Sequence, residues 1–146
     1  MLLDGETSFA IYAADGGRQE QSVSRLTLSK SASLDQADFI FFPDPSLDAS
    51  IVIERCREGT LEDPQLGATL IFRASAIESG GPLILTGPGI ERETAIGIER
   101  AGDWLEARRQ KNREYPLGVD AIFITDDGRL AAIPRTTKIA VRPEAQ

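Results

Sequence analysis

Tyr115 to Thr137 reads YPLGVDAIFITDDGRLAAIPRTT, and this stretch restricts the fold more tightly than any other. Asp127-Gly128 fits a type I′ hairpin turn, because glycine accepts positive φ and aspartate tolerates it. The apolar runs Val119–Thr125 and Leu130–Ile133 must therefore lie side by side. Ala121, Ile122, Phe123 and Ile124 are apolar in unbroken succession, the pattern of a strand covered on both faces. Pro134 has no N–H to give a ladder, so regular pairing ends there and the backbone of Arg135, Thr136 and Thr137 is released. Such an exit from a buried sheet is a place where loops collect ligands.

Other segments fill in an α/β pattern. Thr7–Tyr12 and Asp38–Phe42 read as strands, with a Gly16-Gly17 break after the first. Gln21–Leu28 reads as a modest helix with Val23 and Leu26 inward. In PDPSLDASIVIERCREG, Asp44 can cap a helix, Pro45 suits its first turn and Gly59 its exit. Ala49, Val52, Ile53 and Cys56 then form a stripe facing the core. Gly67–Ala76 and Pro82–Thr86 are predicted to pair antiparallel across the turn Glu78-Ser79-Gly80-Gly81. Thr94–Ile98 can be a short strand. Asp103 and Glu106 resemble a capping box for a second helix, which carries Trp104 and Leu105 inward. Arg108, Arg109, Lys111 and Arg113 gather at its C-terminal end, where positive charge is favoured, and read as a solvated helix end. Lys138–Val141 is a last strand. No repeat or linker divides the 146 residues, so the expectation is a single α/β domain over residues 1–146, with a mixed, partly antiparallel sheet flanked by helices.

Composition narrows the chemistry. Sixteen basic against 23 acidic residues leave a net charge of −7, which repels nucleic acid and anionic membrane, so neither is an expected partner. There is no histidine, which removes Ser-His-Asp and Cys-His catalysis and the commonest metal ligand. No metal is expected. Cys56 is the single cysteine, so no internal disulfide forms; near a helix C-terminus it reads as a packing residue. Apolar runs fall far short of the roughly 20 residues that cross a bilayer, and the start MLLDGETSF lacks signal-peptide regions. The expected location is the cytoplasm.

The ligand-binding candidates are Arg135, Thr136 and Thr137. A bidentate guanidinium, two hydroxyls and backbone N–H groups suit a phosphate, phosphonate or carboxylate. A second reading stays open: Arg135 pairs with a carboxylate such as Asp120, and the threonines bond within their own loop. LTGPGI (Leu85–Ile90) lacks the GK[ST] ending of a P-loop and the third glycine of a dinucleotide fingerprint. Gly87, Pro88 and Gly89 thus read as a tight turn and, with Asp120, as loop or interface contacts. Asp126-Asp127 is a turn without calcium-loop spacing. Glu91 and Glu93 are exposed carboxylates, and no residue is assigned a catalytic role.

GATLIF, GGPLILTGPGI and above all YPLGVDAIFITDDGRLAAIPRTT resemble the PhnH family, the H subunit of the bacterial carbon-phosphorus lyase system for phosphonate breakdown. The likeness runs from about Leu2 to Val141 and is densest after Gly67. It implies a cytoplasmic subunit of a core complex with PhnG, PhnI and PhnJ, which takes part in forming α-D-ribose 1-methylphosphonate 5-triphosphate from ATP and methylphosphonate. It also implies a homodimer whose fold is similar to the large domain of pyridoxal-phosphate-dependent transferases, without the cofactor. Agreeing with that, none of Lys30, Lys111 and Lys138 has a recognisable pyridoxal-binding setting.

Members of the family carry an F-R-x-x-M…A-M-x-x-P-G pattern ahead of the position matching Leu2-Leu3-Asp4. Without that piece an exposed sheet edge or apolar face is expected, with poor solubility or forced association. The alternatives to a complex subunit are a stand-alone binder of a phosphorylated small molecule and a purely architectural protein.

Overall fold

Runs of β-branched and aromatic residues form the strands, and the turn residues between them set where the chain folds back. The computed structural model describes residues 2–13, 16–99 and 103–143. Along it come β1 (Ser8–Ile11), α1 (Gly16–Thr27), β2 (Lys30–Ser31), β3 (Phe39–Phe42), α2 (Ala49–Arg55) and a 3-10 turn at Pro64–Leu66. There follow β4 (Thr69–Arg73), β5 (Ala76–Thr86), β6 (Thr94–Glu99), α3 (Leu105–Lys111), β7 (Asp120–Ile124), β8 (Leu130–Ile133) and β9 (Lys138–Val141).

The main sheet has six strands in the order β2-β1-β3-β4-β7-β8. Every pair from β2 to β7 is parallel, and only β8 runs antiparallel, through its hairpin with β7. A three-stranded antiparallel sheet, β6-β5-β9, stands beside it. The expected mixed α/β architecture is present, divided between two sheets.

Because side chains alternate, residues in register share a face. One face carries Ala10, Ile40, Leu70, Ala121 and Ile133 in one row and Phe42, Phe72 and Phe123 in the next. All of these are buried. The rings run on across the strands: Phe72 stacks on Phe123 at 5.1 Å between centroids, and Trp104 tilts onto Phe123 at 4.7 Å. Burying each such ring is worth about 2–3 kcal/mol. The stripe Ala49, Val52, Ile53 and Cys56 joins the same core, as its spacing predicts.

The opposite face is less covered. Ile122 is half-buried and Ile124 is 39% exposed, so β7 is not sealed on both sides as its run of apolar residues predicts. The reason is position: β7 is next to the edge strand, and α1 packs at the far end against β1 and β2.

Several local expectations are corrected. Gly16 and Gly17 open α1 instead of breaking the chain. Leu26 is 83% exposed; the side of α1 toward the sheet holds Val23, Thr27 and Glu20, whose carboxylate accepts from the Ile11 N–H at 3.3 Å. Asp48, not Asp44, caps α2, accepting from the Ser50 N–H at 2.9 Å, while Asp44 makes the same local bond to Ser46. Gly59 has φ 82° but lies beyond the helix end at Cys56. Trp104 occupies the N-cap of α3 with no side-chain bond, so Asp103 and Glu106 form no capping box.

Nor do β4 and β5 form a hairpin. β5 runs straight through Ser79-Gly80-Gly81, where its register to β6 shifts, and it pairs with β6 and β9. A Cβ on Gly81 would lie 2.3 Å from the Gly97 backbone, so two glycines let the bulged strands touch. The β7–β8 turn also differs from type I′. Gly128 has φ 88° and Asp127 is not in the left-handed region. The Gly128 N–H bonds the Thr125 carbonyl at 3.1 Å and the Thr125 N–H bonds the Arg129 carbonyl at 3.0 Å, giving a three-residue loop with a glycine bulge.

Candidate functional site

Pro134 ends pairing with β7, and the segment Pro134–Thr137 carries the chain from the main sheet to β9 in the small one. The backbone here is therefore not laddered, and its polar groups need other partners. Thr137 turns back, its N–H reaching the Pro134 carbonyl at 3.0 Å. The Arg135 N–H donates to Asp120 Oδ1 at 2.7 Å. The Asp120 pairing anticipated for Arg135 thus involves its main chain. Its guanidinium lies on the Pro64 carbonyl.

Arg108 supplies the remaining bonds. Only 5% exposed, it donates through Nη2 to the Pro134 carbonyl at 2.9 Å and to the Thr137 carbonyl at 3.0 Å. Burial drives this guanidinium down to about 10, and the negative charge of Asp120 offsets part of that. Its Nε is buried without a partner among the described residues. Arg108 is therefore no part of a solvated helix end. Counting four residues on from buried Trp104 would have placed it on the inward face.

The rest of that basic group separates by role. Lys111 reaches back to α2, donating to the Glu54 carbonyl at 3.0 Å and lying 4.0 Å from Glu58 Oε2. Arg109 and Arg113 stay exposed, with Arg109 3.5 Å from Glu106. Both join Arg108, Arg135, Thr136 and Lys138 in lining one cleft of about 440 Å³. The two basic features that the sequence presents separately, the end of α3 and the IPRTT loop, are thus walls of a single cavity. No Asp or Glu is among its lining residues, which makes it a positive site on a negative chain. It lies beside Asp120, the first residue of β7, hence at the amino end of the parallel strands, opposite the usual ligand side of open α/β sheets.

Of the predicted site residues, Arg135, Thr136 and Thr137 line the cleft, while Asp120, Gly87, Pro88 and Gly89 do not. Asp120 braces the loop from below. Gly87-Pro88-Gly89-Ile90 is the predicted tight turn, with the Ile90 N–H on the Gly87 carbonyl at 3.1 Å. Gly87 has φ 141°, and a Cβ there would sit 3.0 Å from the Thr136 carbonyl oxygen, so this turn packs directly on the IPRTT loop. Pro88 and Gly89 are exposed.

The PLG-D stretch proves to be structural support. Asn112, just past α3, accepts from the Val119 N–H at 2.8 Å and donates to the Val119 carbonyl at 3.1 Å. Gly118 lies under that amide with φ 136°, and a Cβ would come within 2.3 Å of Asn112 Oδ1. A Cβ on Gly67 would likewise lie 2.3 Å from the Gly118 carbonyl oxygen. Asn112 has no signature in the sequence that would single it out. Among the described residues, no cluster of His, Cys, Asp or Glu could hold a metal ion, and no helix is long and apolar enough to cross a membrane.

Comparison with known proteins gives a consistent result. The family model for "Bacterial phosphonate metabolism protein (PhnH)" matches residues 1–140. A C-P lyase subunit protein, HtxG of Stutzerimonas stutzeri, is 36% identical over 115 residues, covering 77% of this chain and 56% of that protein. The α-D-ribose 1-methylphosphonate 5-triphosphate synthase subunit PhnH of Rhizobium meliloti (strain 1021) is 34% identical over 82 residues, 56% of this chain and 40% of that protein. The chain thus matches about half the length of these relatives.

Proposed function

The chain belongs to the PhnH family, and from that premise we propose that it serves as a subunit of the carbon-phosphorus lyase machinery. In this role it takes part in making α-D-ribose 1-methylphosphonate 5-triphosphate from ATP and methylphosphonate, beside PhnG, PhnI and PhnJ. Arg135, Thr136 and Thr137 are its ligand contacts. The observation that carries the reading is the cleft itself: every substrate and product of that reaction except adenine is an anion, and the cleft gathers basic side chains and a hydroxyl-bearing loop without an acidic residue. Such a short-range array can outweigh the diffuse negative charge of the chain.

The proposal extends to a single PhnH-like domain over residues 1–146, to a homodimer working in the cytoplasm, and to kinship with the large domain of pyridoxal-phosphate-dependent transferases. The mainly parallel sheet flanked by helices is compatible with that kinship.

The test is functional replacement. In a bacterium whose own H subunit is deleted, the tagged chain is expected to support growth on methylphosphonate as sole phosphorus source and to bring down PhnG, PhnI and PhnJ. Recovery of none of the three from such cells would defeat the proposal. A second reading, a purely architectural subunit, is favoured by a specific observation: the guanidinium of Arg135 is spent on the Pro64 carbonyl, and Thr137 is 4% exposed. It predicts that loop variants lose assembly while retaining the fold.

A further inference from the structure

We infer that the cleft between α3 and the IPRTT loop is a polyphosphate site, built for the linked phosphates of a triphosphate tail and not for a single phosphate or phosphonate group. This rests on the reading of Arg135–Thr137 as a ligand loop and specifies what that loop receives.

Breadth is the first argument. Arg109 stands on α3 and Arg113 two residues past its end, while Arg135 on the loop and Lys138 at the start of β9 belong to the other wall. A lone phosphate can reach only part of such an array. At about 440 Å³ the cavity falls within the range of small-molecule sites, roughly 300–1,000 Å³.

The second argument is unspent charge. Arg113 and Lys138 are exposed and have no ion pair among the described residues. Arg108 is a buried cation whose hydrogen bonds go to neutral carbonyls and whose Nε has no partner among the described residues. Asp120 offsets only part of the cost of burying that charge, and an anion in the cleft would relieve more of it. Arg108 need not touch the ligand. It fixes the Pro134–Thr137 backbone and adds to the local field, while Arg109, Arg113 and Lys138 supply exposed contacts at the rim.

The experiment titrates the full chain with inorganic tripolyphosphate, pyrophosphate and phosphate by calorimetry at physiological salt, so that no base or sugar contributes. One tripolyphosphate should bind per chain, at least tenfold more tightly than phosphate, with pyrophosphate between them. The double variant Arg113→Glu/Lys138→Glu should weaken tripolyphosphate at least tenfold. Arg25→Glu/Lys30→Glu changes the charge equally on exposed residues beside the opposite sheet edge and should stay within twofold of wild type. Equal affinity for the three anions, or equal loss in both double variants, overturns the inference. Growth on methylphosphonate by the same variants separates the two levels. A wild-type chain that supports growth without binding tripolyphosphate sinks the cleft inference alone. A chain that binds as expected but never supports growth or recovers its partners leaves the cleft standing and removes the proposed role.

Discussion

The Arg108 guanidinium donates to the Thr137 carbonyl at 3.0 Å, and the same nitrogen reaches the Pro134 carbonyl at 2.9 Å. One side chain from α3 thereby closes both ends of the crossing between the two sheets. Replacing it by methionine keeps most of the volume but strips the Thr137 carbonyl of this donor, at about 1–3 kcal/mol if it is left unsatisfied, while the Pro134 carbonyl keeps the Thr137 N–H at 3.0 Å. Relief from burying an unpaired charge offsets part of this. The expected net effect of Arg108→Met is a loss of about 1–2 kcal/mol in urea denaturation. An unchanged midpoint would mean that water serves the Thr137 carbonyl equally well.

Gly118 and Asn112 should be energetically coupled. With φ 136° and a would-be Cβ 2.3 Å from Asn112 Oδ1, Gly118→Ala is strained both in its backbone and against the amide. We expect about 2–4 kcal/mol of destabilisation. Asn112→Ala should cost about 1–3 kcal/mol, since the Val119 N–H and carbonyl lose their partner. In the double variant the clash with the amide is gone, leaving the 3.1 Å approach to the Asn112 Cα, and the costs should fall at least 1 kcal/mol short of additive. Additive costs would show that the contact carries no energy.

The difference between what the sequence discloses and what it conceals follows the range of the forces involved. Strands β1, β3, β6, β7, β8 and β9 and the buried stripe of α2 are set by local alternation, period and turn residues, so they can be read from neighbouring positions. The β4–β5 hairpin misleads because Ser79-Gly80-Gly81 is equally good chemistry for a turn and for a bulge, and only the distant Gly97 decides between them. Likewise Ile122 and Ile124 are as apolar as any core residue. Their partial exposure depends on which strand ends up at the sheet edge. Arg135–Thr137 stand out because a proline releases them. The other wall of the cleft is concealed for an opposite reason: Arg108, Arg109 and Arg113 form a common type of surface cluster, and it is the packing of α3 that turns one of them inward and two toward the loop.

Cys56 should be unreactive until the protein unfolds. Its thiol is buried, donates to the Ile53 carbonyl at 3.1 Å, and is pushed up to about 11 by burial. At about pH 8 an unfolded cysteine, with a pKa near 8.5, carries roughly two-hundredfold more thiolate. An aromatic disulfide reagent should therefore label the native chain only as fast as it opens, and label the urea-unfolded chain within seconds. Rapid stoichiometric labelling under native conditions would contradict the packing seen around α2.

Asp38 should contribute to acid sensitivity. Burial works against its ionisation, but the Ser8 N–H at 2.8 Å, the Arg57 guanidinium and the Ser8 hydroxyl at 3.1 Å prevail and hold the carboxyl below its ordinary range. A carboxylate favoured by the fold gives stability that is complete above its unfolded pKa, roughly 4, and that disappears as pH falls through the lower folded value. Side-chain exposures of 29% for Arg57 and 35% for Asp38 mean solvent screens the pair, so the contribution is held to about 1 kcal/mol. Asp38→Asn should therefore be less stable than wild type at about pH 6 and close the gap at about pH 3, where the wild-type carboxylate is being protonated. Paired urea titrations at those two values measure it. A gap that persists undiminished in acid would show that Asp38 acts through shape and neutral hydrogen bonds, and that the link from β1 to Arg57 does not depend on charge.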